Sequence, residues 1–268
     1  MSREATVAGS FYPSNPTQLK GILKEFFSNV KKEKEKTNSI IAPHAGYIYS
    51  GRTAAYSYSA LKELDCFILI GPNHTGFGKE VSVYPEGEWS TPLGEMKVDG
   101  KIGKKITEKM ENASFDEEAH LQEHSLEVQI PFIQFLFGEK AKIVPITLMT
   151  EDLSVLEELG KAIYEIEKEE GREIGVIASS DFNHFVPEET AKEKDGRAIE
   201  RITEMDIKGF NELVEREQMS ICGHRAIEAL MYYCKEKGIH RGKLLNYSTS
   251  AETSGDKMNV VGYAAIKF

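Results

Sequence analysis

Three apolar runs in this chain each end in a turn that carries a histidine. Ser39–Ala42 runs into Pro43-His44-Ala45-Gly46, Cys66–Gly71 into Pro72-Asn73-His74, and Ile174–Ala178 into Ser179-Ser180-Asp181-Phe182-Asn183-His184. Neutral imidazole is a common transition-metal ligand, so His44 and His74 are a ligand pair that leaves room for a third donor. Asp181 and His184 stand three apart, which on a helical turn points both the same way. A carboxylate beside an imidazole suits either metal binding or proton transfer, with the carboxylate fixing the tautomer. Cys222, in Ser220-Ile221-Cys222-Gly223-His224, reads as lying at a helix start, where a thiol's pKa falls and the sulfur becomes a better ligand or nucleophile. Cys66 opens a buried strand and Cys234 lies late in an apolar helix, so both read as inert core thiols. Glu123 and His124 are a weaker pair that reads as an ordinary helix start. His120 reads as exposed and His224 as a helix-surface residue.

The elements that must position these groups follow from pattern. Short unalternating runs rich in β-branched residues and bounded by turn residues are strands buried on both faces, the mark of a parallel sheet. Ligands bind at the carboxyl ends of such strands, where the three histidines fall. Strand 39–42, a helix begun near Ser50 and strand 66–71 make one βαβ unit; strand 142–149, helix 152–169 and strand 174–178 make another. If strands 39–42 and 66–71 are neighbours they lie about 4.8 Å apart, and both imidazoles can reach one ion.

Elsewhere Asn15 and Pro16 predict a helix start, Pro131 a kink or restart within a helix at 123–137, and residues 31–38 a solvated connection. Helical pattern over 189–217 breaks near Asp206, and a helix from about Ser220 to Lys237 stops at Gly238. The end of the chain reads as two antiparallel edge strands. No linker divides the chain, so one domain over 1–268 is expected.

Composition excludes several classes. A formal net charge of -10 over 268 residues argues against a nucleic-acid or anionic-membrane surface. No run of 18 apolar residues is present and the start lacks an apolar leader core, so a cytoplasmic protein is expected. Three widely spaced cysteines suggest neither a disulfide framework nor a zinc ribbon.

The segments REATVAGSFYP (3–13), IIAPHAGYIYSG (40–51), LIGPNHTG (69–76), EHSLEVQIPF (123–132), VIASSDFNHF (176–185) and ICGHRAI (221–227) occur in the order and spacing of the Memo family. The chain resembles that family over essentially its whole length. The resemblance implies an α/β fold: a single three-layer α/β/α domain with a mostly parallel central sheet, like the class III extradiol (LigB-like) dioxygenases. It also places His44, His74 and Cys222 on the metal-ligand positions, with Asp181 and His184 in the same pocket as catalytic groups. In the dioxygenases two histidines and a carboxylate hold the metal, and an acid/base histidine stands where His184 falls. Here Cys222 takes the carboxylate's place. Thiolate is soft, suits copper(I) or zinc as readily as iron, and is easily oxidised, which counts against ring cleavage. Eukaryotic members are linked to phosphotyrosine-peptide binding, to copper- or iron-dependent redox chemistry and to cell motility. Prokaryotic members are commonly grouped with a radical-SAM protein, a functional link to which is therefore expected.

Three readings of function follow. The first is a metal-dependent oxidoreductase holding one transition-metal ion, iron or copper in preference to zinc, with His184 oriented by Asp181 to move protons. The second is a non-catalytic module that binds a peptide or small ligand in a vestigial metal pocket. The third is a zinc-dependent hydrolase with a metal-bound water. The sequence names neither the substrate nor the oligomeric state.

Overall fold

The computed structural model describes residues 2–30 and 33–268, so positions 31 and 32 of the expected connection lie outside the described residues. In chain order the strands are β1 (Ser2–Arg3), β2 (Ser39–Ala42), β3 (Cys66–Pro72), β4 (Val81–Val83), β5 (Glu88–Thr91), β6 (Gly94–Val98), β7 (Ala113–Phe115), β8 (Lys142–Leu148), β9 (Gly175–Ser179), β10 (His184–Val186), β11 (Lys243–Thr249) and β12 (Val260–Lys267). The helices are α1 (Pro16–Ser28), α2 (Tyr47–Ala60), α3 (Gly100–Lys109), α4 (Ile130–Phe137), α5 (Leu153–Glu170), α6 (Glu188–Thr203), α7 (Ile207–Arg216), α8 (His224–Glu236) and α9 (Ala251–Ser254).

All of these strands join one sheet with the path β1-β5-β6-β8-β3-β9-β2-β12-β10, while β11 pairs with β12 and β4 with β7 and β8. The centre, β6-β8-β3-β9-β2, is parallel throughout. The two βαβ units are interleaved rather than side by side. Strand β9 lies between β2 and β3, and β3 lies between β8 and β9, so strands 39–42 and 66–71 are not neighbours. The spacing of about 4.8 Å that adjacency would give does not apply. Because β2, β3 and β9 are parallel, their carboxyl ends still share one edge of the sheet.

Burial on both faces explains the unalternating pattern. Ile68 and Ile70 of β3 enter a core with Leu156, Leu159 and Ile163 of α5 and Leu230 of α8. Phe67 and Leu69 enter the opposite core with Leu19 and Leu23 of α1, Tyr58 of α2 and Phe132 of α4. Each such side chain contributes about 1.5–3 kcal/mol by leaving water. The sheet is thereby fixed between two helical layers.

Helix ends follow their local chemistry. Asn15 caps α1 by accepting from Thr17 N and Gln18 N at 2.9 and 3.1 Å, with Pro16 in the first turn. Asp206 breaks the long helical pattern and caps α7 through Gly209 N at 2.9 Å. Pro131 falls in the first turn of α4, after a 3-10 turn at Glu127–Gln129. Two expected starts are corrected. Helix α2 begins at Tyr47, not near Ser50, because the Phe11 carbonyl accepts the Tyr47 N–H at 2.7 Å and takes over the capping role. Helix α8 begins at His224, so Cys222 precedes it: residues 220–223 bond sideways instead, with Gly223 N donating to Ser180 Oγ at 3.1 Å. Nor is β12 an edge strand, since β2, β10 and β11 all pair with it. Among the described residues, no helix is long and apolar enough to cross a membrane.

Candidate metal centre

His44 is buried two residues beyond β2. The Asp181 carboxylate secures its backbone, with Oδ1 accepting from His44 N at 2.8 Å and from Ala45 N at 3.3 Å. Its Nδ1 meets Ser179 Oγ, at the end of β9, at 2.9 Å. That hydroxyl gives its one hydrogen to the Ser125 carbonyl at 2.7 Å and accepts from Gln129 Nε2 at 2.8 Å. It can therefore only accept from His44, which places the imidazole hydrogen on Nδ1 and leaves Nε2 bare. The bare nitrogen faces Cys222 Sγ at 3.0 Å. Burial, reinforced by His74 and His124, pushes the His44 pKa well down, so the ring is neutral.

His74 is arranged in the same sense. Glu123 Oε2 accepts its backbone N–H at 2.5 Å, and Oε1 lies 2.9 Å from its Nδ1. Burial alone would raise the Glu123 pKa, but His74 and the amides of Ser125 and His74 outweigh it and hold the carboxyl at about 2. An ionised carboxylate accepts only, so Nδ1 carries the hydrogen and Nε2 of His74 is also free. The His124 ring stacks on His74 with centroids 4.6 Å apart, and its Nδ1 lies 3.5 Å from Glu123 Oε1. Phe11 backs His124 at 4.8 Å.

The weight given to Glu123 and His124 from sequence was too low. Glu123 is fully buried and serves His74, and the signal available was only its place in the EHSLEVQIPF segment. Arg3 secures the same segment, donating from Nη2 to the Glu123 carbonyl at 2.8 Å and from Nε to the His120 carbonyl at 2.6 Å. It also pairs with buried Glu127 at 2.8 Å and lies over the Trp89 ring at 4.2 Å. His120, expected to be exposed, is buried, because its Nε2 finds the Ser82 carbonyl at 3.0 Å and its ring packs edge-on to Tyr84 and Trp89.

The ligand atoms of His44, His74 and Cys222 all lie within 4.8 Å of one another. Two bare imidazole nitrogens and a thiol form a donor set that fits a transition ion. His74, Glu123 and His124 meet the same distance test, but the carboxylate is already occupied by hydrogen bonds to His74 and Ser125. The expected lowering of the Cys222 pKa is reversed: burial, with Asp181 adding to it, raises it and outweighs the backbone hydrogen bonds at Asp181, Gly223 and Cys222 that oppose it. Such a thiol would release its proton to solvent on binding a metal cation at the sulfur. Cys66 and Cys234 are buried free thiols, with burial pushing both up to about 12. Two close approaches make the geometry possible. A Cβ on Gly223 would lie 2.3 Å from the Ser179 carbonyl, and one on Gly71 would lie 2.8 Å from Ser125 Oγ.

Asp181 and His184 both line one cleft of about 510 Å³ with His44, His74 and His124. Their expected mutual contact is not made. Residues 180–183 are not helical, because Phe182 N bonds to the Gly262 carbonyl at 2.8 Å and Gly262 N to the Asn183 carbonyl at 3.0 Å. His184 instead donates from Nδ1 to the Ser220 carbonyl at 2.8 Å, which leaves its Nε2 bare. Asp181 bonds the His44 loop, and burial pushes its pKa up to about 6 against the pull of those amides. His224 is half-buried rather than on the surface, with Nδ1 donating to the Ile221 carbonyl at 2.8 Å.

A family model described as "Memo-like protein" matches residues 3–267. This chain belongs to the Memo family. It is 46% identical over 279 residues to a MEMO1 family protein of Desulfurococcus amylolyticus, covering 99% of this chain and 98% of that one. Members from Pyrococcus furiosus and Methanosarcina barkeri are 44% and 42% identical. The alignments cover 99% and 98% of this chain and 98% of each relative. The Memo segments at 40–51, 69–76, 123–132, 176–185 and 221–227 all contribute side chains to the site described above.

Proposed function

We propose that this Memo family member holds one transition-metal ion on His44 Nε2, His74 Nε2 and Cys222 Sγ and acts as a metal-dependent oxidoreductase on a small molecule in the cleft. The observation that carries the reading is the matched tautomer pair: Ser179 and Glu123 each hold an Nδ1 hydrogen and leave Nε2 bare, His44 Nε2 lies 3.0 Å from Cys222 Sγ, and a ring nitrogen of His74 falls within 4.8 Å of both partners. Two imidazoles and a soft thiolate favour iron or copper, with zinc the third choice. An ion there would polarise a bound molecule and, if iron or copper, exchange electrons with it. His184, its Nδ1 held by Ser220, offers a bare Nε2 to the cleft as proton acceptor, and buried Asp181, raised to about 6, is a second proton store. Phe11 and His124, packed on each other, line one side of the cleft.

A second reading has its own support. Phe185, 76% exposed with φ of 58°, lines the cleft together with half-exposed Tyr49, which suits binding of a peptide or small ligand without turnover. Three free thiols suit a reducing cytoplasm, and the net charge of -10 disfavours nucleic-acid partners.

The test is protein purified without oxygen, its metal content measured, then loaded in turn with iron, copper and zinc while oxygen uptake is followed. His44→Ala, His74→Ala and Cys222→Ala should each lower metal affinity at least about tenfold, as loss of one ligand in three requires. Undiminished affinity in Cys222→Ala would remove the thiolate from the site. Metal binding with no turnover under any ion would favour the binding module.

A further inference from the structure

Beside the direct bonds between Ser220 and His184, the turn that carries Cys222 and the strand that carries His184 are linked through one buried side chain, Asn183. Its Nδ2 donates to Asp195 Oδ1 at 2.6 Å, and its backbone N–H reaches the same oxygen at 3.1 Å. Its Oδ1 accepts the Ser220 N–H at 3.2 Å. Ser220 in turn grips His184 from both sides. Its hydroxyl oxygen accepts the His184 N–H at 2.8 Å, and its carbonyl accepts the Nδ1 hydrogen at 2.8 Å. Ser220 stands two residues before Cys222, so the group that fixes the His184 tautomer also begins the turn that delivers the sulfur.

The far end of this chain of bonds is equally constrained. Asp195, on α6, is fully buried, and its other oxygen accepts the Tyr247 hydroxyl at 2.6 Å. A Cβ on Gly262 would lie 2.0 Å from that oxygen, so the glycine on the neighbouring strand is what makes room for the carboxylate. A buried carboxylate is costly unless its lone pairs are filled, and an apolar pair would tie α6 to the sheet at lower cost. What the polar pair adds is direction. Directly after His184 the backbone turns left-handed at Phe185, a conformation that costs a bulky residue roughly 1–3 kcal/mol and persists only where its surroundings enforce it.

We propose that Asn183 is a positioning residue that clamps the Cys222 turn to the His184 strand, with Asp195 holding Asn183 rigid, so that the metal ligand and the proton-carrying imidazole keep one fixed spacing. The Cys222 half of this rests on the metal reading above; the His184 half stands without it.

The test uses Asn183→Leu, which keeps the branched shape and removes both side-chain bonds, and Asp195→Asn, which keeps the shape and weakens the hold. In metal-free protein with ¹⁵N-labelled histidine, NMR should find His184 as the Nδ1–H tautomer in wild type and as a mixture in Asn183→Leu, with His44 unchanged. In cobalt(II)-loaded protein the thiolate-to-cobalt charge-transfer band should shift and cobalt affinity fall roughly tenfold, the usual scale for an outer-shell partner. A folded Asn183→Leu protein in which the tautomer, the band or the affinity matches wild type overturns the clamp. If Asn183→Leu does not fold, the same readouts on Asp195→Asn decide in the same way. If wild type binds no cobalt, the metal reading fails by itself, and the His184 tautomer alone decides the clamp.

Discussion

His44 Nδ1 and Ser179 Oγ meet at 2.9 Å in a contact where only the imidazole can supply the hydrogen. The Ser179 hydrogen is committed to the Ser125 carbonyl, so a single hydroxyl decides which nitrogen His44 presents to Cys222. Ser179→Ala should therefore release the tautomer and lower metal affinity about 10–100-fold. It also leaves the Ser125 carbonyl without that donor, at a cost of about 1–3 kcal/mol. Metal titration and urea unfolding of the metal-free protein measure the two effects separately.

His184 and Asp181 divide the labour differently from the sequence-based expectation. His184 lies outside the three-donor group, so His184→Ala should keep most of the metal while any turnover falls by roughly 10²–10⁴. Asp181 secures the His44 loop through two backbone amides, and an asparagine oxygen can still accept both. Asp181→Asn should thus retain metal, whereas Asp181→Ala should lose affinity. Equal metal binding by the two variants would mean that Asp181 does not hold the loop.

His120 gives the protein an acid sensitivity of its own. Burial pushes its pKa down to about 4 from the ordinary 6.5, opposed by its bond to the Ser82 carbonyl. Between those values the unfolded chain binds a proton that the folded chain refuses. Stability from this group is thus complete above pH 6.5 and is lost as pH falls towards 4, by about 3 kcal/mol in all. His120→Gln should flatten that part of the stability–pH curve relative to wild type. Parallel curves for the two proteins, from urea unfolding at a series of pH values, would refute the assignment.

The strands were legible because burial on both faces writes itself into sequence as an apolar run, as in Phe67–Ile70. His44 and His74 were legible because Pro and Gly fix the turns that carry them at strand ends. Strand order was not legible, since nothing local in 39–42 or 66–71 says that β9 will insert between them. The roles of Ser179, Gln129, Glu123 and Arg3 were hidden for a related reason. Each acts on a residue at least 49 positions away, through a hydrogen bond that leaves no periodic trace. The Cys222 environment was misread because a Ser-x-Cys-Gly stretch resembles a helix cap, and only the packing of Gly223 against Ser179 and Ser180 shows that the helix starts later.

That packing yields a last expectation. A Cβ at Gly223 would lie 2.3 Å from the Ser179 carbonyl oxygen and 2.6 Å from Ser180 Cβ. The Ser179 end of β9 cannot yield easily, because it pairs with Ala42 of β2, and β3 flanks Ala178 on the other side. The turn at 220–223 must therefore move outward and carry Cys222 away from His44. Gly223→Ala should destabilise the fold by about 1–3 kcal/mol, the usual range for overpacking, and weaken the cobalt–thiolate band. Gly21→Ala is the matched control: on α1 an added methyl group meets nothing within 4 Å, so it should be neutral or stabilise by up to about 1 kcal/mol. Thermal unfolding of both variants and absorption spectra of their cobalt forms check the pair. An undisturbed thiolate band in Gly223→Ala would show that the turn tolerates the displacement and that Cys222 is not held by this contact.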